Sequence, residues 1–194
     1  RWYYCVMISY QDYLNVSESD RDRMDFVLKV ISEHKASPMY KDALDAENYY
    51  TRKNTTITEY QKLLYTISGD AVPDNYSANY KLCSGFFQRF VIQQVQYLLG
   101  NGVSWKNEKT EERLGEQFDA QLQKIARNAL VGAVAFGFWN YDHMEAFKVT
   151  EFAPIFDEED GSIKCGVRFW QIDVTKPLRA TFYELDGYTE YIWR

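Results

Sequence analysis

The spacing of apolar residues changes once along the chain, close to Gly132. Before this glycine, apolar residues recur every three or four positions, as is typical of amphipathic helices. After it, short apolar runs alternate with turn signals, as is typical of β-strands. We therefore expect one domain with an α+β fold, in which residues 1–131 are mainly helical and residues 132–194 form a mostly antiparallel β-sheet.

The first half of the chain contains four predicted helices. They cover residues 17–35, 39–50 and 81–99, and a segment that runs from a cap at Thr110 to about Leu130. Ser17 is the predicted N-cap of the first helix. Gly100 is the predicted C-cap of the third, where a positive φ angle would close the last turn. Residues 51–79 are expected to be polar and irregular, with a helical turn or two in residues 57–67, and residues 103–105 to be a short extended piece.

The second half contains five predicted strands. They cover residues 131–141, 146–156, 163–172, 180–185 and 188–193. A turn at residues 142–145 separates the first two, and Pro154 closes the second. An acidic turn at residues 157–161 precedes the third strand, and Asp186-Gly187 predicts a two-residue hairpin between the last two.

Composition narrows the possible functions. The net charge is −6, with 28 acidic and 22 basic residues, which argues against a general grip on nucleic acid. The 16 Tyr, 12 Phe and 5 Trp side chains suit a mixed core and a subunit interface equally well. Cys5, Cys83 and Cys165 are odd in number and widely spaced, so we expect neither a disulfide framework nor a zinc site.

No targeting or membrane segment is evident. The longest apolar run, residues 129–139, has 11 residues and contains two glycines, so it is too short to span a bilayer. Polar residues interrupt the N-terminal stretch where a signal peptide needs an apolar core. The chain does not begin with Met, and we expect it to be a soluble, intracellular fragment of a longer protein.

The acidic residues Asp157, Glu158, Glu159 and Asp160 are candidate oxygen ligands for calcium or magnesium. They lack the spacing of a helical calcium loop and end in a glycine between two predicted strands, which favours a solvated hairpin turn.

Histidines and glycines give weaker signals. His143, next to Asp142, is a conceivable general base, but no Ser or Cys occupies a nucleophile elbow. His34 lies close to a predicted helix C-terminus, where we expect the helix dipole to stabilise partial positive charge on its imidazole. Gly100-Asn101-Gly102 follows a helix, whereas phosphate loops precede one. We predict no catalytic residue, no cofactor site and no metal site.

A series of short motifs nevertheless resembles the wing region of portal proteins from long-tailed bacteriophages. The paired Tyr49-Tyr50 comes first, followed by a helix with the pattern Phe86, Phe87, Val91, Tyr97, Leu98, Leu99, Gly100 and Val103. A strand around Pro154 and one at residues 166–170 come next in the same order. The likeness covers residues 40–194; Gly102 stands where the family often has Pro, and Cys83-Ser84-Gly85 replaces its usual Asn.

The resemblance implies a structural subunit and no enzymatic activity. Portal subunits form a ring, usually dodecameric, at one capsid vertex, through which double-stranded DNA passes without specific recognition during packaging and ejection. The implied partners are other copies of the chain, the terminase motor, capsid proteins and the head–tail connector, with no membrane. The implied location is the virion, and the host cytoplasm during assembly. The chain would end before the stem of the family's subunit.

Two other functions remain open from the residues alone. The first is a metal-dependent hydrolase that uses the acidic residues from Asp157 to Asp160. The second is an intracellular protein–protein interaction module with no connection to a phage.

Overall fold

The computed structural model describes residues 8–193, apart from the side chains of Glu108 and Glu111. The α+β fold is confirmed. Within the described residues the helices are α1 (Tyr10–Leu14), α2 (Asp20–Ala36), α3 (Pro38–Tyr50), α4 (Thr55–Thr58), α5 (Phe86–Leu99), α6 (Glu108–Leu114) and α7 (Phe118–Gly132). None of them is long and apolar enough to cross a membrane.

The strands form three antiparallel sheets. They are β1 (Leu63–Tyr65), β2 (Ala71–Pro73), β3 (Ala135–Asn140), β4 (His143–Lys148), β5 (Phe152–Phe156), β6 (Ile163–Trp170), β7 (Leu178–Tyr183) and β8 (Tyr188–Trp193). The first two form one hairpin and the next two a second hairpin, while β5 to β8 form a four-stranded meander in sequence order. Pro154 fits in β5 because β5 is an edge strand, where a missing N–H need not break a ladder.

One face of the meander packs against α2. Ile155, Val167 and Ala180 alternate inward from three neighbouring strands and meet Val27 and Ile31 of the helix. All five are at most 3% exposed, so this layer is a closed hydrophobic core. Side chains alternate between the two faces of a strand, and apolar residues at helical spacing lie on one face of α2. Both elements therefore place their apolar residues in this layer.

The opposite face of the meander is covered by the β3–β4 hairpin through aromatic contacts. Phe147 stacks on Phe152 with ring centroids 5.5 Å apart, and Phe138 lies 4.7 Å from Tyr183. The guanidinium of Arg168 lies 4.7 Å from the centre of the Phe147 ring. Both faces of the meander are therefore buried by other parts of the same chain.

The remaining helices form a second layer. Helix α7 contacts α3, α5 and both strands of the β3–β4 hairpin. A methyl group at Gly132 would lie 3.3 Å from Val149 and 3.7 Å from Ala43, so α7 approaches its neighbours closely at this end.

Several predicted helix boundaries are wrong. Helix α2 begins after Ser19, because Ser17 instead accepts a hydrogen bond (3.4 Å) from the Ser19 N–H in the preceding turn. Helix α5 begins at Phe86. The preceding Gly85 has no side chain and so leaves room for the Arg52 guanidinium. This guanidinium donates two hydrogen bonds, of 3.0 and 3.2 Å, to the side-chain oxygen of Gln88.

The predicted C-cap of α5 at Gly100 is confirmed, but its predicted positive φ angle is wrong. Gly100 has φ −64°, and the left-handed conformation falls on Gly102, with φ +74°. The helix predicted from Thr110 is two helices, because Gly115 at φ +74° separates α6 from α7.

The strand predicted over residues 146–156 is in fact two strands in different sheets. A turn at residues 149–151 separates β4 from β5, closed by a hydrogen bond (3.0 Å) from the Glu151 N–H to the Lys148 carbonyl. Thr150 turns toward α3 and donates to Glu47 at 2.8 Å.

Three shorter segments also differ from the prediction. Within residues 57–67, the predicted helical turn is present only as the end of α4, and Leu63–Tyr65 form the strand β1 instead. Residues 103–105 have no strand partner among the described residues. The Asp186-Gly187 hairpin has a four-residue loop, since Tyr183 pairs with Tyr188.

His34 is not a dipole-stabilised cation. It is 2% exposed, and its Nε2 lies 2.7 Å from the Val149 carbonyl oxygen. Burial lowers the pKa of His34, because desolvation penalises the imidazolium more than this hydrogen bond favours it. The neutral imidazole therefore acts as a structural link between α2 and the turn after β4.

Candidate interaction surface

The β1–β2 hairpin stands apart from the other sheets. Its six strand residues are all exposed, and within residues 8–193 its strands pair only with each other. A two-stranded hairpin is at best marginally stable in water by itself. Local polar contacts hold its base: the Asp74 N–H donates to the Lys62 carbonyl at 2.7 Å, and Ser77 donates to the Asp74 carboxylate.

Helix α5 has one buried face and one exposed apolar face. Val91 and Val95 are buried against the body of the protein. Phe86, Phe90 and Tyr97 lie at helical spacing on a different side and are 62%, 60% and 90% exposed. The apolar surface of the helix is thus wider than the part that the rest of the described chain covers.

The connection between the hairpin and α5 continues this pattern. Tyr76, Tyr80 and Leu82 are each more than four-fifths exposed. We call residues 60–98 the apolar segment, because exposed aromatic and aliphatic side chains recur along it from Tyr60 to Leu98. Exposed apolar surface on this scale is typical of binding surfaces, and aromatic residues are enriched in such interfaces.

The sequence identified only the helical part of this segment. Residues 60–79 were predicted to be irregular, with a helical turn or two up to residue 67, and the hairpin was missed. The signal was the apolar triplet of β1 and the shorter run of β2 on either side of Gly69-Asp70, a dipeptide that favours a turn.

The acidic turn folds as a hairpin connection. Lys164 donates to Asp160 at 2.9 Å and lies 3.7 Å from Asp157. The same carboxylates accept backbone N–H groups, from Ser162 to Asp160 at 2.7 Å and from Glu159 to Asp157 at 3.0 Å. Hydrogen bonds from Ser162 and Lys164 lower the pKa of Asp160. This geometry explains the acidic residues as turn formers with their own cation.

His143 lies on the exposed tip of the β3–β4 hairpin. Its Nδ1 is 2.7 Å from an Asp142 carboxylate oxygen, and its Nε2 is 3.6 Å from Glu145. The hydrogen bond with Asp142 raises the pKa of His143. No Ser or Cys nucleophile is described within hydrogen-bond distance of this imidazole, so the observed contacts are those of a surface ion pair.

The two cysteines that the structure describes are both free thiols. Cys165 is buried in the core, and burial raises the pKa of its thiol to about 12, which makes it unreactive. Cys83 is half-buried and is not in a disulfide, and Cys5 lies outside the described residues. No group of three or more His, Cys, Asp and Glu side chains in the described part of the chain is arranged to hold a metal ion.

Two cavities of opposite character were not predicted. One, of about 630 Å³, lies beside the break between α6 and α7; Glu112, Glu116 and Asp119 line it together with Trp105 and Phe118. The other, of about 280 Å³, lies between α3, α7 and β4 and is lined by three basic side chains. Each cavity combines residues from several elements, so neither could be recognised from local spacing.

No protein-family model matches this chain, and no curated protein matches it.

Proposed function

We propose that this chain is part of a structural subunit of the portal ring of a tailed bacteriophage, and that the ring serves as the conduit for DNA packaging and ejection and as the head–tail connection. In this proposal the chain transforms no substrate. The order of short motifs from Tyr49 to Trp170 supports the family, and the surface of the molecule supports a role in assembly.

The observation that carries the proposal is the apolar segment. Its side chains lie on an isolated hairpin, an irregular connection and the outer face of α5, and all three leave apolar groups in water. Contact with a neighbouring copy would remove that surface from water and support the hairpin. A contact between two different faces of identical subunits produces a closed ring when the rotation closes.

The charge of the chain is compatible with a conduit. A net charge of −6 repels phosphates on average, so a duplex would not adhere generally to surfaces formed by this chain. Asp157 and Asp160 both form ion pairs with Lys164. The geometry of the acidic turn therefore does not favour metal-dependent hydrolysis.

The proposal is tested on the full-length protein by native mass measurement and electron microscopy. We expect a closed ring for the wild type. The Phe90→Glu, Tyr97→Glu double variant places two charges on the exposed face of α5 and should abolish the ring while the subunit stays folded. The matched control is Ile172→Glu, Val174→Glu, which changes two equally exposed apolar residues in the β6–β7 loop and should leave the ring intact. A strictly monomeric wild-type protein would refute the proposal.

The apolar segment also suits a second candidate, an interaction module that binds an unrelated intracellular protein. The gene neighbourhood separates the two candidates. A terminase gene upstream and capsid genes downstream are expected for a portal subunit, whereas their absence, together with a monomeric full-length protein, would favour the interaction module.

A further inference from the structure

A basic cavity lies between α3, α7 and the end of β4. Its volume is about 280 Å³, and its wall includes Glu47 from α3, Lys124, Arg127 and Asn128 from α7, and Lys148 from β4. Val131 and Val149 add an apolar part to the wall. The volume is close to the lower end of the range for small-molecule sites, so the cavity fits a compact ligand.

The charge of this cavity opposes that of the chain. Three cations and one carboxylate line it, although the whole chain carries a net charge of −6. The carboxylate of Glu47 is already occupied, because it accepts from Thr150 at 2.8 Å and lies 3.6 Å from the Lys148 ammonium. Lys124 and Arg127 form no ion pair with any described residue, so their charges remain available.

A buried amide in the wall lacks a partner. Asn128 is 9% exposed, and its Nδ2 makes no hydrogen bond within the described protein. An unsatisfied buried donor is costly, and native proteins rarely retain one without a reason. The Asn128 side chain lies in the cavity wall, so its NH₂ signals report on what occupies the cavity.

We propose that this cavity is a binding site for a small oxyanion, a phosphate or a carboxylate. The Arg127 guanidinium supplies a planar pair of donors, and Lys124 adds a second positive charge. Charge-assisted hydrogen bonds of this kind are the strong ones in proteins. The site is independent of the proposed portal function.

The test follows the side-chain NH₂ signals of Asn128 by NMR in the ¹⁵N-labelled chain. Inorganic phosphate and acetate are titrated separately at constant ionic strength, with chloride as the reference anion. We expect a saturable shift of the Asn128 signals with phosphate or acetate and none with chloride. Tighter binding of phosphate indicates a phosphate ligand, and tighter binding of acetate a carboxylate ligand; both results support the site.

Variants distinguish a built site from general attraction. Lys124→Ala, Arg127→Ala removes two exposed charges from the cavity and should weaken binding about tenfold or more. Lys176→Ala, Arg179→Ala makes the same change of charge around β7 and should alter the dissociation constant less than about twofold. The proposal is overturned if the Asn128 signals do not shift, or if both double variants weaken binding equally.

Discussion

The four-stranded sheet and the apolar segment are both rich in aromatic and aliphatic side chains, yet they expose them very differently. Ile155 and Val167 in the sheet are fully buried, whereas Tyr76 and Tyr97 in the segment are at least 90% exposed. The sheet is covered on one face by α2 and on the other by the β3–β4 hairpin. In the apolar segment, only the inner face of α5, with Val91 and Val95, is covered by the rest of the described chain.

This difference separates stability from assembly. Burial of apolar surface is the main favourable contribution to folding, so the sheet and its two coverings should account for most of the folding free energy. The exposed side chains of the apolar segment add little to it. Contact with another molecule would remove these side chains from water, and a neighbouring copy in the proposed ring would make that contact.

The largest effect is expected for Phe147→Ala. Phe147 is 1% exposed, stacks on Phe152 and packs under the Arg168 guanidinium. Truncation leaves a cavity between the β3–β4 hairpin and the sheet, and should lower the free energy of unfolding by about 3–5 kcal/mol. The matched change Phe90→Ala, on the exposed face of α5, should cost less than about 0.5 kcal/mol. Urea denaturation of both variants measures the comparison, and similar costs at the two sites would contradict it.

A smaller effect is expected for Gly166→Ala. A methyl group at this position would lie within 3.0 Å of three atoms of the Phe152 ring, which covers the strand closely. Overpacking of this kind should cost about 1–3 kcal/mol, because the ring must move against Phe147. Gly187→Ala is the control: its methyl group would meet nothing within 4 Å, and its stability should change by less than about 0.5 kcal/mol. Thermal or urea unfolding that ranks these two variants in the opposite order would show that the sheet is less tightly covered here.

Sequence patterns predicted the sheet better than the apolar segment. The spacing of apolar residues predicted β6 close to its observed bounds, and the turn signal at Asp186-Gly187 predicted where β8 begins. The hairpin β1–β2 was missed because it buries nothing, and without burial the alternation of apolar and polar residues that marks a strand is absent.

The division between β4 and β5 shows a different limit. The turn between them begins with Val149, which is itself buried, so hydrophobicity gave no sign of the break. The turn is fixed by tertiary contacts, including the bond from Thr150 to Glu47 and the contact of Val149 with His34. The basic cavity lies at the same junction, and for the same reason its residues could not be assembled from the sequence.

Acidification should weaken the contact between α2 and this turn. Burial lowers the pKa of His34 in the folded chain below its ordinary value of 6.5. Between the two pKa values the unfolded chain binds more protons, so the free energy of unfolding decreases as the pH falls through 6.5 and stops decreasing below the folded pKa. His34 therefore contributes its full stabilisation only above pH 6.5.

The His34→Gln variant isolates this contribution. Glutamine retains a donor for the Val149 carbonyl but has no proton to gain, so the wild type should lose stability relative to the variant when the pH is lowered from about 7.5 to 5. The free energy of unfolding of both proteins is measured by urea denaturation across this range. The difference between them cancels the titration of the carboxylates, which both proteins share. Parallel stability curves would mean that His34 titrates normally and that α2 is less tightly packed there than the sheet core.

The smallest effect on folding is expected for removal of the β1–β2 hairpin. Replacing residues 63–73 with a short Gly-Ser linker deletes only exposed strand residues and their turn. The free energy of unfolding should change by less than about 0.5 kcal/mol, because no buried apolar contact is lost. In the full-length protein the same deletion should abolish the ring, since it removes surface that the neighbouring copy would cover. A loss of stability above about 1 kcal/mol would mean that the hairpin supports its own subunit, and an intact ring would mean that the contact between copies lies elsewhere.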